Sequence, residues 1–288
     1  MLSLEGLSCG DGFGERFFPF RATREMARMR VLPPAPWMFT DDTMMAISIA
    51  EMLRRHGEIV EEHLATHFAA MYDPTRGYGA AMHGLLPRFR VRGGAAWREE
   101  AGALFGGMGS YGNGSAMRVA PLGAYFADDL GKVVEQAERS AVTTHAHEEA
   151  VAGAIAVALG AAFAWRSRDA AEVLDVGEWL EPIRDLLSPS AVRKGIDVAM
   201  GLPERTSAHE AAIALGNGSL VSAMDTVPFT LWSAGRYLDS YEEAMWQTVS
   251  AGGDMDTTCA MVGGMVVMRS GVPEEWLRRR EGFGDLLR

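Results

Sequence analysis

An all-α fold in one compact domain spanning residues 1–288 is what this sequence predicts, and three observations carry that prediction. Apolar residues recur at helical spacing along most of the chain. Alternating runs of β-branched and aromatic residues, the mark of strands, are almost missing. No linker or composition shift divides the 288 residues, a length that a single core can serve without disulfides or structural zinc.

The elements follow in order. Ala46, Ile49, Ala50 and Leu53 form an i, i+3, i+4, i+7 stripe, with Gly57 where a helix end favours glycine. Ile59–Met71 is a second amphipathic segment, closed by Asp73-Pro74. Further helices are predicted over Ala95–Phe105, Lys132–Ala141, His145–Trp165, Ala191–Met200, Ala208–Leu215, Phe229–Tyr237, Tyr241–Ser250 and Thr257–Met268. The uncharged run Ala150–Trp165 is shorter than the roughly 20 residues of a membrane span and is rich in Ala and Gly. It predicts a central helix buried on all sides, not a membrane anchor. Two stretches break the pattern. Residues 72–94 hold Pro74, Pro87 and several glycines and predict a long ordered loop, and Gly106–Gly114 is a glycine-rich loop. The tetrapeptide Gly-Asn-Gly-Ser occurs at Gly112–Ser115 and again at Gly216–Ser219; the flanks do not match, and chance accounts for the repeat.

Charge and cysteine content narrow the function. With 27 Lys+Arg against 38 Asp+Glu, the net charge of −11 repels a phosphate polymer, which excludes a general nucleic-acid binder. Two cysteines, Cys9 and Cys259, build neither a disulfide framework nor a thiolate cage. Together with the missing secretory signal pattern, they predict a reducing, cytoplasmic setting.

Two acidic clusters carry the chemistry. Thr40-Asp41-Asp42-Thr43 stands just before the first helical stripe, and Gly252-Gly253-Asp254-Met255-Asp256-Thr257-Thr258 before the last. One such side chain is enough to cap a helix. Adjacent carboxylates repel unless a cation or hydrogen bonds compensate. Four carboxylates and several hydroxyls, with no Cys or His interleaved, are a hard-oxygen ligand set suited to two Mg²⁺ or Mn²⁺ ions and unsuited to zinc. An EF-hand loop from Asp254 fails, because Cys259 and Met265 stand at its glycine and glutamate positions. Gly107-x-Gly109-x-x-Gly112 satisfies the bare dinucleotide fingerprint but follows a helical segment instead of a strand. Its free N–H groups still suit a diphosphate.

The order of the pieces says more than any one of them. Gly10-Asp11-x-x-Gly14 is followed by Thr40-Asp41-Asp42-Thr43, then Gly112-Asn113-Gly114-Ser115-Ala116-Met117-Arg118, Thr144-His145, Val227-Pro228 and Gly252-Gly253-Asp254-Met255-Asp256-Thr257. Over nearly its whole length, this succession resembles the ADP-ribosylglycohydrolase family, the relatives of dinitrogenase-reductase-activating glycohydrolase. The resemblance implies an all-helical fold with two Mg²⁺ or Mn²⁺ ions in a cleft, held by Thr40, Asp41, Asp42, Asp254, Asp256 and Thr257. It implies that Asn113, Gly114, Ser115 and Met117 hold ADP-ribose and that His145 lines the cleft. Tyr78 or Tyr111 is the expected stacking partner for adenine. The implied reaction is hydrolysis of the bond between ADP-ribose and a protein side chain, with Asp41, Asp42, Asp256 and Glu15 as the catalytic acids. The alternatives are a non-catalytic ADP-ribose-binding module and a hydrolase of a free ADP-ribosyl small molecule. Met255 replaces the family's usual Thr between the two acids, and Phe18 stands where many relatives carry a glutamate, with Glu15 the nearest acid.

Overall fold

The protein is described by a computed structural model covering residues 1–18, 22–170 and 175–287. Among those residues there are helices, turns and two isolated β-bridges, and no strand. In chain order the helices are α1 (Leu2–Glu15), α2 (Ala22–Met29), α3 (Asp41–His56), α4 (Glu61–Met71), α5 (Ala80–Arg92) and α6 (Trp97–Gly102). Next come α7 (Leu104–Gly107), α8 (Ala120–Tyr125), α9 (Leu130–Val142), α10 (Glu148–Arg166), α11 (Val176–Asp185) and α12 (Ala191–Met200). The series ends with α13 (Ala208–Leu215), α14 (Ala223–Arg236), α15 (Tyr241–Ser250), α16 (Met255–Ser270) and α17 (Glu274–Arg279).

The first and last thirds of the chain meet along α1 and α16. Gly6, Gly10 and Gly14 recur every four residues and so share one face of α1. A methyl group on any of them would lie 2.1–2.4 Å from a backbone oxygen of α16, respectively that of Gly263, Cys259 and Met255. The two helices therefore touch backbone to backbone, with no room for a side chain. This contact explains the two glycines of Gly10-Asp11-x-x-Gly14: they bring Asp11 to the N-terminal end of α16.

Helix α10 forms the centre. It is long and apolar enough to cross a membrane, yet two-thirds of its most apolar window is buried inside the protein. Its small residues admit close neighbours: a methyl on Gly160 would meet the Met265 sulfur at 2.6 Å, and one on Gly153 would meet Ala223 at 2.9 Å. The expected burial holds for most of the helix but not all round it, since Val151, Ile155, Phe163 and Trp165 are only partly buried.

Several boundaries agree with the sequence reading, including α12, α13 and α15, and Gly57 caps α3 in the left-handed conformation at φ 72°. Others differ: α2, α8, α11 and α17 are not predicted and α14 starts before the predicted Phe229, but two further segments are the most instructive. Residues 72–94 are not one long loop, because α5 occupies Ala80–Arg92 and buries Met82, Leu85, Leu86 and Phe89 on one face. Gly84 and Pro87 hide that i, i+3, i+4, i+7 stripe. Helix α1 is likewise absent from the sequence reading, since four glycines within ten residues argue against an isolated helix. Its packing against α16 outweighs that cost.

Candidate active site

Helix α3 begins at the first acidic cluster, and Asp11 on α1 determines how. The Thr40 N–H donates to Asp11 Oδ2 at 2.9 Å and the Thr43 N–H to the same oxygen at 3.1 Å. The Thr40 hydroxyl donates to Asp11 Oδ1 at 2.9 Å, and the Thr43 hydroxyl to Oδ2. A carboxylate from another helix thus satisfies the Thr43 N–H at the α3 entrance, beside the local cap in which the Thr40 hydroxyl oxygen accepts the Asp42 N–H. Relieved of that duty, Asp41 and Asp42 project from the first turn. The C-terminal segment clamps the approach: Arg76 forms a two-pronged ion pair with Glu281, donates to the Phe39 carbonyl at 2.8 Å, and offers its own carbonyl to Asp41 N–H at 2.7 Å.

The second cluster meets the first. The Thr257 hydroxyl lies 3.3 Å from Asp42 Oδ2, and carboxylate oxygens of Asp11, Asp42 and Asp256 lie within 4.8 Å of one another. These three acids differ in what they have left to offer. Asp11 already accepts from two N–H groups and two hydroxyls, so it orders the loop. Asp42 Oδ1 is buried and has no hydrogen-bond partner among the described residues. A buried anionic oxygen without a donor is costly, and a hard cation removes the cost.

Electrostatics point the same way. Burial first, then the charges of neighbouring acids, pushes the Asp42 and Asp256 carboxyls well above the usual range. Burial and the charge of Asp11 push Asp41 up to about 8. Asp254 is also raised by burial, although the Asn113 amide opposes this by donating to its Oδ2 at 2.7 Å. Acids packed this way hold protons until a divalent ion replaces them. Asp11, Asp42 and Asp256 bring oxygens close enough to share an ion, and Asp41, Asp254 and Thr257, among the expected ligands, line the cleft beside them.

Both Gly-Asn-Gly-Ser tetrapeptides touch Asp254, through different groups. The first supplies the Asn113 amide. The second supplies the Asn217 carbonyl, which accepts the Asp254 N–H at 3.0 Å. Gly218 leaves room for Asp254, whose Cβ would stand 2.4 Å from a methyl there, and Gly253 in turn leaves room for Asn217. The second loop has no chemical group to advertise it in the sequence; only its Gly-Asn-Gly turn chemistry is visible.

Asp41, Asp254, Asp256 and Thr257 form the floor of a cleft of about 460 Å³ whose wall includes Asn113, Gly114, Met117 and His145. His145 sits against the glycine loop, where a methyl on Gly114 would be 2.8 Å from its ring. Burial, then the nearby Arg118 charge, lowers its pKa to about 3, so the ring stays neutral and does not shuttle protons near pH 7. At the mouth, Tyr111 is 42% exposed and stacks on Phe105 with ring centroids 6.1 Å apart.

Three expected site residues lie elsewhere. The Tyr78 ring is 4% exposed and packs on Tyr72 and His83, so it has no free face for a base; Tyr111 does. Ser115 is fully buried and its hydroxyl donates to the Ala150 carbonyl, which anchors the glycine loop to α10. Glu15 is half-buried at the last residue of α1 and is not among the residues lining the cleft, and Phe18 is 45% exposed. Conversely, the sequence does not reveal the structural roles of Asp11 and Asn217, although Asp11 stands inside Gly10-Asp11-x-x-Gly14. A second cavity of about 480 Å³ is lined by Leu4, Leu53, Tyr125 and Trp165 together with Glu51 and Arg54, which pair with each other.

Comparisons with known proteins agree with this geometry. ADP-ribosylhydrolase ARH3 of Bos taurus is 31% identical over 294 residues, covering 86% of this chain and 75% of the relative. The Homo sapiens protein of the same name is 30% identical, with 86% and 76% covered. A protein of Archaeoglobus fulgidus described as uncharacterized is 28% identical over 97% of this chain and 90% of its own. A solved structure titled ADP-ribosylglycohydrolase-related protein complex superposes with a TM-score of 0.67 at 25% identity, covering 99% of this chain and 93% of that one. The family profile described as ADP-ribosylglycohydrolase matches residues 3–288, from the α1 glycine face to the C-terminal clamp on Phe39. Since the profile spans both acidic clusters and the helix pair that unites them, the chain belongs to the ADP-ribosylglycohydrolase family.

Proposed function

We propose that the protein hydrolyses the glycosidic bond joining the anomeric carbon of ADP-ribose to a protein side chain, with two Mg²⁺ or Mn²⁺ ions held by Thr40, Asp41, Asp42, Asp254, Asp256 and Thr257. The observation that carries this reading is the buried, unpartnered Asp42 Oδ1 at a site where acids from both ends of the chain converge beneath a glycine-walled cleft.

Bound there, the ions would supply Lewis-acid polarisation and a water of lowered pKa. The chain's own groups do the rest. Gly112–Ser115 presents backbone and the Asn113 side chain along the wall, Tyr111 offers a face for adenine, and His145 contributes a neutral ring. As the bond to the acceptor breaks, positive charge grows on the sugar, and the carboxylates of Asp41 and Asp256 stabilise it. A water oxygen bonds to the anomeric carbon as the bond to the departing atom breaks; a carboxylate oxygen of Asp41 or Asp256 takes the water's proton and passes it to the departing atom. The products are ADP-ribose and the unmodified side chain.

Asp256→Ala tests the reading. It should abolish ADP-ribose release from a modified protein while helical circular dichroism is kept, and chelation should do the same. Turnover that survives either treatment removes the metal mechanism. Phe18, standing where many relatives carry a glutamate, supports a second reading, a non-catalytic ADP-ribose-binding module. Calorimetric binding of ADP-ribose without turnover of any ADP-ribosylated substrate would establish it.

A further inference from the structure

Arg118 is fully buried, and its hydrogen bonds lead to the cleft wall. Its Nη2 donates to the Ser140 carbonyl at 2.7 Å, and its guanidinium lies 4.5 Å from the centre of the Phe68 ring. Its Nη1 donates to the Thr144 hydroxyl oxygen at 2.9 Å. That same oxygen lies 2.7 Å from His145 Nδ1. Thr144 is fully buried, and Arg118 and His145 are its hydroxyl's partners among the described residues.

Proton accounting fixes the direction of each bond. A guanidinium has donors only, so the Thr144 oxygen accepts from Arg118. The hydroxyl keeps one hydrogen, and Nδ1 is the acceptor within reach. Were Nδ1 itself protonated, that hydroxyl hydrogen would be buried with no acceptor, an arrangement that folded proteins avoid. Nδ1 therefore accepts, and the neutral ring carries its proton on Nε2. Nε2 has no hydrogen-bond partner among the described residues. It faces the glycine loop that walls the cleft, 2.9 Å from where a Gly114 methyl would stand and 3.3 Å from a Gly112 methyl.

We propose that Arg118 and Thr144 are positioning residues that lock His145 in the Nε2–H tautomer, so that it donates one hydrogen bond into the cleft to a phosphoryl oxygen of a ligand seated on Gly112–Ser115. The ligand's identity rests on the ADP-ribosyl reading above; the tautomer does not. Arg118 suits the role because its planar fork serves Ser140 and Thr144 at once, which a lysine ammonium on a flexible stem does not reproduce. Its charge also disfavours a second proton on the imidazole. The ring therefore remains a donor of fixed direction across the neutral pH range.

Two-bond ¹H–¹⁵N correlation spectra of the full ¹⁵N-labelled chain, with His145 assigned by comparison with His145→Gln, read the tautomer directly. The expected parent spectrum shows a protonated Nε2 and an unprotonated Nδ1. Thr144→Val, which keeps the shape and removes the hydroxyl, should mix the tautomers and weaken ADP-ribose binding by about tenfold in calorimetry. Thr144→Ser should restore both. A protonated Nδ1 in the parent overturns the proposal, as does a Thr144→Val protein with unchanged tautomer and affinity. If Thr144→Val does not fold, the parent and Thr144→Ser spectra decide. A parent that shows the Nε2–H tautomer and does not bind ADP-ribose overturns the substrate reading and leaves the Arg118–Thr144 lock standing.

Discussion

Without a cation, the acid cluster should make the protein less stable as pH rises, and a divalent ion should reverse this. Burial and neighbouring charges raise the folded-state carboxyl of Asp41 from 3.8 to about 8 and that of Asp11, chiefly by burial, from 3.8 to about 6. A raised carboxyl pKa means that the folded state holds a proton the unfolded chain has released. The associated stability is complete below the unfolded value and is lost as pH climbs through the folded one. Every tenfold change in proton affinity corresponds to ~1.4 kcal/mol, so Asp41 alone sets an upper bound of ~6 kcal/mol between about pH 4 and pH 8. Sharing of protons among adjacent acids and entry of water reduce this to a few kcal/mol. In a chain of this length that corresponds to a fall of roughly 5–10 °C in Tm. Thermal unfolding followed by circular dichroism, in chelator and in millimolar Mg²⁺ or Mn²⁺ at about pH 5 and about pH 8, measures it. The metal-free Tm should fall with pH, and the metal-induced rise should be larger at the higher pH, where the ligands are deprotonated. Asp256→Asn removes one of the crowded charges, so at about pH 8 it should raise the metal-free Tm and abolish the metal-induced rise. A metal-free Tm that is flat between these pH values, with no response to either ion, would refute the reasoning.

Other perturbations separate the parts of the site. Gly114→Ala places a methyl 2.8 Å from a His145 ring that Thr144 holds in place, so the ring must recede by about 0.6–1 Å; ADP-ribose turnover should drop by up to ~10²-fold with little change in melting. Asn113→Ala removes the amide donor to Asp254 Oδ2, and Mn²⁺ affinity measured by calorimetry should weaken by roughly 10–100-fold, as for other groups that orient metal ligands. Glu15→Gln should leave kcat within about twofold of the parent, because the side chain lies outside the cleft, and a larger loss would show that Glu15 takes part in the reaction.

Chemistry is easier to see in this sequence than geometry. The acids of both clusters, Asn113, Gly114, Met117 and His145 are legible because their types and order are unusual, and all of them surround one cleft or its floor. Tyr78 and Ser115 are not separable from true lining residues, since a buried tyrosine and a pocket tyrosine look alike in one dimension. Helix α5 is hidden because glycine and proline lower helix propensity, and only the burial of Leu85, Leu86 and Phe89 shows that packing overrides it.

Asp11 shows where such reading stops. In the sequence it is a single acid between two glycines, and its natural assignment is either nothing or a ligand. Its actual role follows from two long-range contacts that no local pattern encodes. The Gly6, Gly10 and Gly14 face lets α1 lie directly on α16, and that approach delivers the Asp11 carboxylate to the N–H groups of Thr40 and Thr43. The Thr40 hydroxyl oxygen accepts the Asp42 N–H as the local cap of α3 and Asp11 accepts the Thr43 N–H, so neither Asp41 nor Asp42 is needed to cap the helix. The Thr40 cap and the acid brought in from α1 together keep the local acids free, and Asp42 Oδ1 is bare among the described residues. The glycines of Gly10-Asp11-x-x-Gly14 and the acids of Thr40-Asp41-Asp42-Thr43, 26 or more residues apart in the chain, are therefore parts of one device, in which close helix packing leaves the acids free to take up cations.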